Sequence, residues 1–170
     1  GIMGGLNSGV DDSTTEIFIE VANWHASRVR KTSTRLGLRT DSSQRYEKSL
    51  DSHSMLTTLW RTVDLVLQLC PSAKVIGKLE YDGPQLEYKA KRIETSLARI
   101  ESLLGHPIEE KSVLSLLNSL EFSVENKQGK LEVFPPSFRA TKDVESEEDI
   151  VEDVGRMVGY DNIKATSPRW

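Results

Sequence analysis

At 170 residues, 37% of them hydrophobic and 28% charged, the chain has room for one domain or two small ones and the composition of a globular protein, which excludes the disordered class. No apolar run approaches the roughly 18 residues of a membrane span, and a single cysteine, Cys70, excludes an internal disulfide and argues against a Cys-based zinc site. A net charge of −4 argues against nucleic-acid binding through bulk charge, yet it averages unlike regions: His25 to Lys48 holds seven Lys or Arg and two acids, Asp143 to Asp161 eight acids and one Arg.

The chain opens on Gly1-Ile2-Met3-Gly4-Gly5, with no initiator methionine and no signal-like segment, as expected of a piece of something longer in a reducing, cytoplasmic compartment. Gly1 to Asp12 reads as a glycine-rich loop. Thr15 to Ala22 alternates as a strand, with Ile17, Ile19 and Val21 on one face and Glu16, Phe18 and Glu20 on the other. From His25 to Leu36 the positions Ala26, Val29 and Leu36 have helical spacing, and Gly37 ends the segment. Its other faces carry Arg28, Arg30, Lys31 and Arg35, a solvated face or a surface that holds nucleic-acid phosphate.

After a polar segment, Leu38 to Leu50, either Asp51 or Ser52 caps a long helix with Met55, Leu59, Val63, Val66 and Leu67 as its buried stripe, and Pro71 stops it. Val75 to Leu79 and Leu86 to Ile93 read as short strands around the turn Tyr81-Asp82-Gly83-Pro84. The second half then reads helix, helix, hairpin, helix. Leu97, Ile100, Leu103 and Leu104 precede a stop at Gly105 and Pro107, and Val113, Leu116, Leu117 and Leu120 form the next stripe. Phe122 to Glu125 and Leu131 to Phe134 flank a five-residue loop, Asn126 to Lys130. Helices followed by a hairpin suggest a winged-helix-like α+β module. His25, His53 and His106 lack the mutual spacing of a metal site and read as surface residues.

In the last helix Ser146 is the cap, and Ile150, Val151, Val154, Met157 and Val158 line one side. Asp149, Glu152 and Asp153 gather on the other at i, i+3 and i+4, with Asp143 preceding them. Each like-charged pair at such spacing costs roughly 0.2–0.5 kcal/mol. Two readings stay open: a solvated acidic face, or a cation held among these carboxylates.

Three stretches in this order, GIMGG with EIFIEVANW, RLGLRTDSSQRYEKSLD, and PSFRATKDVESEEDIVEDVGRMVGYDNI, resemble the β subunit of bacterial phenylalanyl-tRNA synthetase. The resemblance implies an α+β chain: a partial B3/B4 α/β editing region over 1–72, a connecting segment over 73–86, a winged-helix-like B5 domain over 87–165 and the start of a linker at 166–170. It implies an editing pocket for mischarged Tyr-tRNA(Phe), with Gly4 closing it, Glu20 recognising the tyrosine hydroxyl, and Thr40 and Ser42 in its wall. Ser42 departs from the alanine common there. It implies that Asp143, Asp149, Glu152 and Asp153 belong to a Mg²⁺ site shared with the α subunit, where the last position is usually glutamate. The resemblance further implies a synthetic site on the α subunit, so the expected whole is an ATP-using α2β2 ligase that binds tRNA(Phe), with this chain inactive by itself. A non-catalytic docking scaffold for the α subunit is the competing reading, and a free-standing nucleic-acid-binding module the third.

Overall fold

Six helices and one small sheet form among the described residues, 1–83 and 87–165, of the structure, a computed structural model. The chain divides into two units, Gly1–Tyr88 and Lys89–Trp170. The expected linker at 166–170, and Pro84 and Leu86 of the expected turn and strand, lie outside the described residues.

The first unit has three helices. Helix α1, Ala26–Leu36, forms where expected and closes on Gly37 in the left-handed region. Helix α2, Asp41–Tyr46, lies inside the segment read as merely polar. Its signal was present in Thr40-x-x-Ser43, a capping box in which each side chain bonds the other's backbone amide. Helix α3, Met55–Leu69, starts later than Asp51 or Ser52 implied: its N-cap position is Ser54, without a side-chain cap. Its expected buried stripe is incomplete, because Met55, Leu59, Val63 and Val66 are only half-buried and Leu67, Trp60 and Leu69 are exposed.

The expected strands Thr15–Ala22 and Val75–Leu79 do not form. Alternation supplies a face, but a strand also needs a neighbour for its N–H and C=O groups, and among the described residues this unit contains no ladder. Phe18 is accordingly 87% exposed. Val29 is the one buried hydrophobic residue described in this unit, and the other buried positions are the hydroxyls Ser33 and Ser43.

The second unit has a real core. Strand β1, Ile93–Ser96, is shorter and later than the strand expected from Leu86 to Ile93; helices α4, Leu97–Leu104, and α5, Glu110–Ser119, follow. Strands β2, Ser123–Lys127, and β3, Lys130–Phe134, make an antiparallel hairpin, and β3 pairs back onto β1 to give the order β1-β3-β2. Helix α6, Glu147–Val158, closes the unit. This is the winged-helix-like α+β arrangement that the pattern of helices and hairpin anticipated.

The hairpin turn has two residues instead of five. Gln128 and Gly129 both take positive φ, 56° and 87°, so the strands extend through Lys127 and Lys130. Such a turn matches the right-handed twist of the strands, and Gly129 adopts it without strain.

Ile93, Leu131 and Val133 face inward from the sheet to meet Ile100, Val113, Leu117, Phe122, Ile150 and Val154. Each such side chain, fully buried, contributes roughly 1.5–3 kcal/mol, enough for this unit to hold α6 in one rotation. Gly155 permits the close approach of α4, since a Cβ there would stand 2.8 Å from a Leu104 methyl.

Thr95 is the one discordant core residue. It is 7% exposed and, among the described residues, its hydroxyl has no hydrogen-bond partner. Thr95→Val keeps the β-branched shape and removes the unmatched group, so it is expected to stabilise the unit by about 1 kcal/mol. A higher urea midpoint at unchanged slope is the expected result; a lower one means that the hydroxyl is satisfied in solution.

Candidate functional site

Two clusters carry the residues singled out in the sequence, one in each unit. In the first, Thr40 is the N-cap of α2 and lies at the centre of a hydroxyl network. Its Oγ1 donates to the Ile2 carbonyl and accepts from the Ser43 amide at 3.1 Å. Ser43 Oγ in turn accepts from the Thr40 amide at 2.9 Å and donates to its carbonyl at 3.0 Å. Ser33, on the buried face of α1, donates to the Leu38 carbonyl, which fixes the turn that delivers Thr40. Ser33 and Ser43 therefore position Thr40, and neither was singled out in the sequence.

Thr40 thus links the glycine-rich opening to α2 across 38 residues. Its one proton is engaged by Ile2, so toward a ligand the hydroxyl acts only as an acceptor. Glu20 is exposed and makes no hydrogen bond among the described residues. Burial lowers the pKa of the Gly1 amine, and the Glu20 carboxylate opposes that shift, which puts Glu20 within electrostatic reach of the opening segment. Gly4 stands in open space: a Cβ there would meet nothing within 4 Å. Ser42 is exposed in the first turn of α2. The structure therefore ties Thr40 to Ile2 and brings Glu20 near Gly1, whereas no hydrogen bond joins Gly4, Glu20 or Ser42 to Thr40 among the described residues. Chemically these residues supply a free carboxylate acceptor and a hydroxyl network, and among the described residues no nucleophile is hydrogen-bonded to a base there.

The second cluster is the acidic one, and the structure distributes its carboxylates instead of gathering them. Asp149 completes a capping box at the start of α6, accepting from the Glu145 amide at 2.9 Å and from the Ser146 amide and hydroxyl at 2.8 and 2.9 Å. The Glu145 amide, followed by those of Ser146, holds its carboxyl below the usual carboxylate range. Asp153 is 3% exposed, and it is matched by Arg139 at 2.8 Å and Arg156 at 2.6 Å. Arg139 also pairs with Asp143 and lies 5.6 Å from the centre of the Phe122 ring. Burial works to lower the Arg139 pKa, but Asp143 and Asp153 outweigh it, so the pKa is raised. Glu152 alone of the four is exposed and uncommitted.

Residues in this state do not fit a magnesium site: among the described residues no three His, Cys, Asp or Glu side chains converge, and a cation would have to displace Arg139 from both of its partners. The expected common acidic side of the helix is corrected in the same way. Asp153 lies beside the Ile150–Val154 stripe and faces inward, because Arg139, in the 3₁₀ turn Ser137–Arg139, supplies a counter-charge there.

The family model for the B3/4 domain matches residues 1–71, and that for the tRNA synthetase B5 domain matches residues 93–160. Among similar curated proteins, the phenylalanine–tRNA ligase β subunit of Solibacter usitatus is 40% identical over 169 residues, covering 99% of this chain and 22% of the relative. That of Carboxydothermus hydrogenoformans is 39% identical over 168 residues, covering 99% of the chain and 21% of the relative. The β subunit of Thermotoga maritima is 36% identical over 165 residues, covering 97% and 20%. The chain spans about a fifth of the length of these relatives.

Both clusters make measurable claims. Thr40→Ala removes a cap and the tie to Ile2 and is expected to lower the thermal stability of the first unit by about 1 kcal/mol, with Thr40→Ser retaining most of it. Asp153→Ala leaves Arg139 short of a partner and is expected to destabilise the second unit by about 1.5–3 kcal/mol. Melting of the unsubstituted chain with and without magnesium should coincide; a magnesium-dependent rise would mean that the ion competes successfully with Arg139.

Proposed function

We propose, for a chain that belongs to the B3/4–B5 family of phenylalanine–tRNA ligase β subunits, that it contributes to the editing of Tyr-tRNA(Phe) through its first unit and to subunit architecture through its second. The observation that carries this reading is the occurrence of both domains, in that order, in one chain that aligns over 99% of its length with a β subunit. In the whole ligase, phenylalanine would be attached to tRNA(Phe) at a synthetic site on the α subunit of an α2β2 assembly in the cytoplasm, with ATP and Mg²⁺ as that enzyme's requirements. No described helix is long and apolar enough to cross a membrane.

Within the proposal, the Glu20 carboxylate accepts a hydrogen bond from the tyrosine hydroxyl. A site built to bond a hydroxyl rejects the ligand lacking it by leaving its own polar group unpaired. Thr40 serves as acceptor and anchor, Ser42 stands in the wall, and Gly4 leaves space for the substrate. Ester hydrolysis then rests on a positioned water and the tRNA's terminal hydroxyls, so no general base is assigned to this chain. Asp143, Asp149 and Asp153 keep only an architectural role, Glu152 faces solvent, and no step runs through a metal there. The exposed Leu6, Val10, Phe18, Leu69 and Ile76 of the first unit support a larger parent that covers them.

A second reading, a docking scaffold for the α subunit without nucleic-acid contact by the second unit, is favoured by one observation. A DNA-reading winged helix presents a basic wing, whereas Lys127 of this wing is paired with Glu125 and Glu132. Deacylation of Tyr-tRNA(Phe) by the intact α2β2 enzyme decides the first reading. Glu20→Ala is expected to let Tyr-tRNA(Phe) accumulate while phenylalanine attachment continues; unaltered tyrosine rejection overturns the role of Glu20. The chain alone is expected to show no deacylation.

A further inference from the structure

Helix α1 contains no acidic residue, and its four cations, Arg28, Arg30, Lys31 and Arg35, are all exposed and free of ion pairs among the described residues. Elsewhere in the same basic region the cations have partners: Arg39 and Lys48 both pair with Glu47. Burial of Val29 and Ser33 fixes the rotation of the helix. At roughly 100° per residue, Arg30, Thr34, Ser27, Lys31 and Arg35 then follow one another across roughly 140° of the opposite side. The same five residues line an open, shallow surface depression of about 530 Å³, and within it the Ser27 hydroxyl lies 3.2 Å from His25 Nδ1.

We propose that this depression on α1 is a phosphate-backbone contact for RNA, through which the first unit holds the tRNA whose acyl end it edits. The identity of the RNA rests on the editing role proposed for the first unit, whereas the charge of the surface belongs to α1 itself. Three unpaired cations beside the Thr34 hydroxyl match a row of phosphate oxygens in charge and hydrogen-bonding capacity. Contacts of these cations to phosphate oxygens carry no sequence information, so the proposed contact is sequence-independent. A lipid surface fits poorly: an interfacial helix needs an apolar face to insert, and the non-basic face of α1 is occupied within the unit by Val29 and Ser33. The net charge of −4 means that the rest of the chain repels a polyanion, so binding depends on this face.

The test is fluorescence anisotropy of labelled tRNA(Phe) transcript with the full chain across a salt series. Arg30→Gln, Lys31→Gln and Arg35→Gln together keep good helix formers and remove three charges. They are expected to weaken binding about tenfold or more at low salt and to reduce the salt slope by about 2–3. Lys74→Gln, Lys78→Gln and Lys89→Gln together change the net charge equally and are expected to leave the slope nearly unaltered. Arg30→Lys with Arg35→Lys retains the charge and should retain the slope, which guards against a folding defect in the first variant. Equal losses in both triple variants, or no binding by the unsubstituted chain at the lowest salt, overturn the proposal. Failure here leaves tyrosine rejection by the intact enzyme unaffected, so it is distinguishable from failure of the editing role of Glu20.

Discussion

Arg139 engages two carboxylates at once, Asp143 beside it in the chain and Asp153 on α6, and the second unit is arranged around that double pairing. A buried carboxylate without a partner is unstable in the folded state, and removing one member of a buried pair leaves an uncompensated charge. Asp153 therefore accepts its inward position only because Arg139, held against Phe122, arrives from the 3₁₀ turn to meet it. Arg156 takes the remaining oxygen from the same helix. With Asp153 inside, the rotation of α6 is set, and Ile150, Val151 and Val154 enter the core together. The other acids then divide by position: Asp149 caps the helix, Glu147 reaches Arg99 on α4, and Glu152 faces solvent.

The first unit is held by a different kind of interaction. It has little hydrophobic interior among its described residues and depends on hydroxyls and backbone groups that fix each other across the junction of α1 and α2. Individually such hydrogen bonds contribute about 0.5–1.5 kcal/mol net, less than a buried leucine. They specify geometry well and stability poorly. The same unit leaves large apolar side chains of α3, among them Trp60, Leu67 and Leu69, exposed.

The contrast carries into chemistry. Carboxylates that look alike in sequence have opposite availability in space. Glu20 is an isolated acceptor near the chain's opening, whereas Asp143, Asp149 and Asp153 already have partners that a ligand would have to displace. A single polar group can meet a ligand only where it is free, a condition that Glu20 satisfies and Asp143, Asp149 and Asp153 do not. The basic face of α1 extends the same logic: its cations are available because no acid lies within one helical turn of them.

Much of this was legible in the residues themselves. The helical stripes of α1, α4, α5 and α6, the hairpin and the Ser146 cap follow from spacing and local chemistry, and each lies within a few residues of its observed place. The family resemblance, carried by three ordered stretches, also came from sequence, because it depends on residue identity. What the sequence misled on is physical in origin. Thr15–Ala22 alternates as a strand should, but pairing is a property of two segments, and alternation describes one. The Gln128–Gly129 turn depends on positive φ at two residues, of which only glycine announces it. Asp149, Glu152 and Asp153 stand at i, i+3 and i+4 of one helix, and that spacing alone suggested a common side which the fold does not give them. Only the tertiary structure decided their fates, because a carboxylate's role is set by the charge and donors that fold against it, and Arg139 reaches Asp153 from outside the helix.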